Sequence, residues 1–329
     1  MNVVERFDAI ANFRRPDRML MTEWATWWSL TLDRWLKEGL PSELGDYQKP
    51  AFDCAALHRY FGLDPMVQIW FPSAREHGIV TCEADYEALL RDGLLFPENA
   101  IHFSRYDAYR NEHERGECLF WFTFSGFFWF PRTLFGIEEH LYAFYDRPEL
   151  MKRMNQDNAV FMLRTLEKLF ARGYHPDFMT FAEDMSYNNG AMISKPMFEE
   201  FMLPFYRQVI PFLKENKVKV FIDSDGDVTE CIGWFHEAGI EGCLPLEHQA
   251  GSDIAALRLK YPDFLFLGNF DKLIMHGGEA ALRTEFERLL PLMRQGGFIP
   301  SVDHQTPPDV SLDNYRLYLK LFREYAGKI

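Results

Sequence analysis

Hydrophobic and polar positions alternate along the chain on two length scales. Short runs of β-branched, aromatic and aliphatic residues occur at Met19–Trp24, Met66–Phe71, Leu119–Phe124, Phe178–Ala182, Val218–Ile222, Gly242–Leu246, Phe264–Leu267 and Gly297–Val302. Their length and composition are those of buried strands. Between them lie longer stretches with apolar residues three and four apart, the spacing of amphipathic helices. Their starts and stops carry helix signals. Asp146-Arg147-Pro148-Glu149 opens a helix that runs to Gly173, and Ser194-Lys195-Pro196 opens one that Pro204 and Pro211 should kink or divide. Val228 to Ala238 is closed by Gly239, Ser252-Asp253 caps a helix to Tyr261, a long helix spans about Gly278 to Arg294, and Ser311 caps the last.

Strands that alternate with helices pair in parallel through crossover connections. Seven or eight such units in 329 residues fit a single α/β domain, 1–329, of the (β/α)8 TIM-like barrel type. Residues 40–117 are the least regular part: a helix around Phe52–Phe61, the strand at Met66–Phe71, and polar alternating segments near Ile79–Ala84 and Ala100–Ala108. They read as an insertion capping the barrel mouth. No GxGxxG or GxxxxGK[ST] loop follows a strand, which removes the usual dinucleotide and P-loop readings.

Polar residues collect at the C-terminal ends of the strands, where barrels of this type place their chemistry. Glu23, Glu183, Asp184, Asp223, Asp225, Glu247, Asn269, Asp271, Asp303 and His304 all fall there. Helix capping explains some of them, Asp227 among them. Carboxylates gathered in one cleft repel, so a metal, a shared proton or a cationic group is expected with them. Asp223, Asp225, Glu247 and His304 offer oxygen and nitrogen donors suited to a divalent ion such as zinc. The alternatives are a solvated acidic turn and a histidine held by Asp303.

Composition narrows the partners. A net charge of -14 argues against nucleic acid or an anionic membrane. The five cysteines are scattered without a CxxC pair, and the N-terminus shows no signal-peptide core, so a reducing cytoplasm is the expected compartment. With 31 Phe, 14 Tyr and 8 Trp the chain has rings beyond the needs of a core, and Trp24, Trp121, Phe127 and Trp129 beside strand ends are candidate walls of a substrate pocket.

Several stretches together resemble the uroporphyrinogen decarboxylase superfamily, which includes methyltransferases acting on corrinoid proteins and thiols. They are Arg15-Pro16-Asp17-Arg18, Glu183-Asp184-Met185-Ser186-Tyr187 with Met192-Ile193-Ser194, Phe205, Asp223-Ser224-Asp225-Gly226, Pro245-Leu246-Glu247, Leu267-Gly268-Asn269 with Asp271, and Asp303-His304 with Pro307-Pro308-Asp309 and Asn314. The Arg-rich loop with which porphyrinogen decarboxylases hold a polycarboxylate is replaced by Met21-Thr22-Glu23-Trp24-Ala25. Zinc-binding members use a His-x-Cys pair and a later Cys. The corresponding positions resemble Asp223, Asp225 and His304, which implies an oxygen and nitrogen zinc site.

The resemblance thus implies methyl transfer from a small, aromatic methyl ether or similar donor to the corrinoid of a partner protein. Catalytic roles are expected for His304, Asp225, Asp223, Glu183 and Asp184. Donor contacts are expected from Glu23, Trp24, Trp121, Phe127, Trp129, Tyr187 and Asn269. A decarboxylase or other lyase using the same acids, and a non-catalytic binding barrel, are the competing readings.

Overall fold

The computed structural model describes residues 1–47, 54–74, 80–97 and 103–329. Its strands are β1 (Met66–Phe71), β2 (Leu119–Ser125), β3 (Phe178–Ala182), β4 (Ser186–Tyr187), β5 (Gly190–Ala191), β6 (Lys219–Asp223), β7 (Gly242–Leu244), β8 (Leu265–Phe270) and β9 (Phe298–Val302). The chain divides into two compact units. The first holds residues 1–67, 109–119 and 243–329, and the second holds 68–108 and 120–242. Among the described residues no helix is long and apolar enough to cross a membrane.

In the second unit the strand order is β1-β2-β3-β6, with β4 and β5 forming a separate two-stranded ribbon. β2, β3 and β6 run parallel and in register, with Phe122 opposite Met179 and Met179 opposite Val220. Every residue of β2 and β3 is buried. That two-faced burial is why these segments read as unbroken apolar runs rather than as alternating ones. The helix expected from Asp146 begins at Pro148, because Asp146 is the last residue of the preceding helix, Ile137–Asp146. The prolines divide the next helical region into Lys195–Phe201 and Leu203–Glu215, with Pro204 in the first turn of the second piece and Pro211 inside it.

In the first unit the strand order is β7-β8-β9, with β8 and β9 parallel and Asn269 opposite Ser301. Helices Gly278–Gln295 and Leu312–Ala326 pack on one another. Phe286 stacks against Tyr318 and Tyr325 at that seam. Burying each such ring contributes roughly 1.5–3 kcal/mol. Arg258, itself buried, donates to the carbonyls of Pro262, Phe264, Gly296 and Gly297 and so ties the turn before β8 to the turn before β9.

Two expectations change. Met19–Trp24 is buried but is not a strand. Its backbone is held by a side chain: the Asp64 carboxylate accepts from Met21 N at 2.9 Å, and Arg18 clamps the same carboxylate at 2.7 and 2.6 Å. Residues 40–117 are not simply a cap, because they are shared between the two units and supply β1 to the sheet. Helices Cys54–Phe61, Glu83–Arg91 and Phe103–Glu114 occupy much of the stretch, in place of the alternating segments. Phe52, Asp53, Ile79 and residues 100–102 lie outside the described residues.

Candidate functional site

In the second unit the ends of β3 and β6 are joined bond by bond. Ala182 lies opposite Asp223, and the Asp223 carbonyl accepts from Glu183 N at 2.8 Å and Asp184 N at 3.3 Å. Asp184 then turns through a left-handed conformation, φ +42°, which Asp tolerates better than most residues. Ser224 Oγ receives Met185 N at 3.1 Å and meets Ser186 Oγ at 2.7 Å, and Ser186 Oγ donates to the Asp225 carbonyl at 2.7 Å. Asp227 N donates to the Tyr187 carbonyl at 3.0 Å, and Gly226 is required between them, since a Cβ there would lie 2.6 Å from Tyr187 Cα.

This stitching brings Asp184, Asp223 and Asp225 together, with one carboxylate oxygen from each within 4.8 Å of the others. All three side chains are half-buried. Among the described residues this is the cluster of acids, histidines and cysteines spaced to hold a metal ion. Burial pushes the Asp223 carboxyl well above the ordinary carboxylate range, and the charges of Asp184 and Asp225 push it further. Arg132 donates to the Asp184 carbonyl at 2.9 Å and lies over the Trp129 ring, 5.0 Å from its centroid. Half-buried Trp129 is therefore the aromatic surface connected to the acids in this unit, and Tyr187 stands exposed on the ribbon beside them.

Glu183 has a different role from the acid expected there. It is fully buried, and its carboxylate accepts from Phe127 N at 2.7 Å, Phe128 N at 2.6 Å, Trp129 N at 3.1 Å and the Tyr206 hydroxyl. Burial pushes it up to about 7 against these donors. It anchors the start of helix Trp129–Phe135. Phe127 and Trp121, expected on a pocket wall, are core residues: Phe127 packs among Phe181, Phe205 and Tyr206, and Trp121 stacks on Phe178 and donates to Thr180.

In the first unit the ends of β7, β8 and β9 carry a second group. Lys272 Nζ meets Glu247 at 2.6 Å, both side chains being largely buried. Asp303 accepts from His248 N at 2.9 Å and Lys272 N at 3.2 Å. Burial pushes Asp303 up to about 7, and Lys272 pulls it back. His304 is half-buried, with the Trp24 ring edge-on at 5.9 Å. Trp24 Nε1 donates to the Val302 carbonyl at 2.9 Å, which fixes that ring against the strand.

Glu23, expected at substrate, is buried with its Oε2 accepting from Ser301 Oγ at 2.7 Å and Val302 N at 3.0 Å. Burial pushes it up to about 7. Asn269, also expected at substrate, is buried and braces the backbone around it. Its amide donates to the Leu246 and Ser252 carbonyls at 2.7 and 3.1 Å, and its oxygen accepts from Arg288 at 2.8 Å. Sequence reasoning passed over Arg132 and Lys272. The available signal was a lone cation within three residues of strand-end acids or aromatics, a pattern as often met in a solvated turn.

A family model described as uroporphyrinogen decarboxylase (URO-D) matches residues 133–325. The fold is similar to that of a methyltransferase from Methanosarcina mazei, 13% identical, with 99% of each chain covered and a TM-score of 0.69. A vitamin-B12 independent methionine synthase from Listeria monocytogenes covers 94% of this chain and 96% of its own at 10% identity, with a TM-score of only 0.44. No curated protein sequence matches the chain.

Proposed function

The chain belongs to the uroporphyrinogen decarboxylase family, and from that premise we propose that it is a methyltransferase, taking a methyl group from a small aromatic methyl ether and delivering it to the cobalt of a separate corrinoid protein. The observation that carries the reading is the group Asp184, Asp223 and Asp225 at the ends of β3 and β6. An ether oxygen is a poor leaving group, so the charge developing on it has to be met by a cation or a proton. Burial and the charges of Asp184 and Asp225 raise Asp223, and that creates the demand in advance. The similarity in fold to a methyltransferase agrees with this choice.

Three carboxylate oxygens fit a hard divalent cation and are acceptable to zinc. Asp184, Asp223 and Asp225 would hold it, and it would supply Lewis-acid polarisation of the donor oxygen. The remaining work belongs to the chain. The Trp129 ring, held by Arg132, offers a flat wall for the aryl part of the donor, and Tyr187 a second polar edge. In a metal-free version Asp223, whose carboxyl burial and the charges of Asp184 and Asp225 push well above the ordinary carboxylate range, would be the proton source. His304 is the candidate acid of the first unit.

The test is methyl–cobalt formation from aryl methyl ethers with a free corrinoid or a corrinoid protein as acceptor. Asp225→Ala is expected to lower turnover by about a hundredfold or more, with thermal stability kept and any bound divalent ion lost. Turnover lost in Asp225→Ala but retained in His304→Ala assigns the chemistry to the second unit, and normal turnover in both variants ends the assignment. The family match also favours a decarboxylase reading, and carbon dioxide release without any corrinoid would select it.

A further inference from the structure

The last helix, Leu312–Ala326, turns Tyr315, Tyr318 and Phe322 into the core of the first unit and leaves Arg316 and Arg323 outside. These two arginines are seven residues apart and so share a face about two turns, roughly 10 Å, along the axis. Leu319 lies between them. Opposite stand Tyr60 and Phe61, where helix Cys54–Phe61 ends. Tyr60, Phe61, Arg316, Leu319 and Arg323 line an open surface pocket of about 370 Å³, within the size range of small-molecule sites.

Both guanidinium groups are set in place before any ligand arrives. Arg323 Nη2 donates to the Phe61 carbonyl at 3.3 Å. It can do so because the next residue is Gly62, at φ +70°, where a Cβ would meet that nitrogen at 2.7 Å. Arg316 is steadied by the Tyr60 hydroxyl and by one contact to Asp313 at 3.2 Å. Asp313 is 89% exposed, and an exposed pair of this kind is worth about 0–1 kcal/mol, so it competes weakly with an incoming anion. None of the five lining residues is acidic, in a chain whose net charge is -14. Anions are repelled from such a surface except where local cations gather.

We propose that this pocket binds an elongated small-molecule dianion, with two anionic groups on an apolar spacer, one group on each arginine and the spacer against Leu319, Phe61 and Tyr60. A guanidinium takes a carboxylate or a phosphate through paired N–H donors. The order cation, apolar residue, cation along one helix face selects a ligand by length as well as by charge. The inference is independent of the methyl-transfer reading.

The experiment is calorimetric titration and thermal unfolding of the whole chain with straight-chain dicarboxylates from malonate to sebacate, at fixed ionic strength, with inorganic phosphate and a monocarboxylate as controls. Affinity is expected to peak at one chain length. Arg316→Gln and Arg323→Gln should each lower that affinity tenfold or more and flatten the length profile. Arg316→Gln should unfold at the wild-type temperature without ligand, and Arg323→Gln, which gives up the bond to the Phe61 carbonyl, close to it. Any of three results would overturn the site: no binding at any length, a flat length profile in the wild type, or undiminished affinity in the double variant.

Discussion

Asp223 and Asp303 end strands in different units, and burial drives both carboxyls upward. In the second unit the neighbours, Asp184 and Asp225, push in the same direction as burial. In the first unit the neighbour is Lys272, which opposes it while also holding Glu247. At Asp223 the neighbouring acids add to the effect of burial, and at Asp303 a lysine works against it. The buried glutamates differ in a parallel way. Both are pushed up to about 7, but Glu183 receives four donors over both oxygens. Glu23 receives its two closest on one oxygen. A buried acid is thus evidence of a site only after its donors and neighbours have been accounted for.

The largest effect should come from Glu183→Ala, which strands four donors and is expected to cost about 3–5 kcal/mol of unfolding free energy, measured by denaturant titration. Glu23→Ala should cost clearly less, and equal losses would remove the distinction between the two glutamates. Lys272→Met comes next, at about 2–3 kcal/mol near pH 8. Asp303 has a folded pKa raised above its unfolded value. Its favourable contribution is therefore complete below the unfolded pKa and lost as pH rises through about 7. Removing Lys272 raises the folded value further, so the variant should lose more at pH 8 than at pH 5, and a pH-independent loss would detach Lys272 from Asp303.

The smallest effect has the opposite sign. Asp223 is also raised, so ionising it costs stability as pH rises above the unfolded pKa. Asp223→Asn abolishes that cost, and unfolding at pH 8 should show a gain of about 1 kcal/mol relative to the wild type, shrinking towards pH 4. A loss at pH 8 would mean that the fold stabilises the Asp223 charge rather than opposing it.

The strands were legible because β2, β3, β8 and β9 are buried on both faces and so leave continuous apolar runs. Met19–Trp24 has the same composition, but its backbone groups pair with Asp64, Ser301 and Ala326 rather than with a neighbouring strand, and no local pattern reports partners so distant in sequence. Asn269 and Glu183 were picked out by position at strand ends, which is where both capping braces and ligands sit. What separates the two roles is which way the side chain turns. At Asp184 that is decided by a left-handed residue, and at Glu183 by the absence of a side chain on Gly126. The pairing of Asp223 with Asp225 was legible from their spacing alone. The contribution of Arg132 was not, because it acts on a backbone oxygen.

Gly126 and Glu183 also bear on how such a chain can diverge. A Cβ at position 126 would stand 2.1 Å from the Glu183 carboxyl carbon, so no side chain at 126 is compatible with this glutamate in this pose. Shortening the glutamate alone abandons the amides of Phe127, Phe128 and Trp129. Each single exchange is therefore a deleterious step. Among descendants of this sequence the two positions should drift as one character, glycine with glutamate or neither.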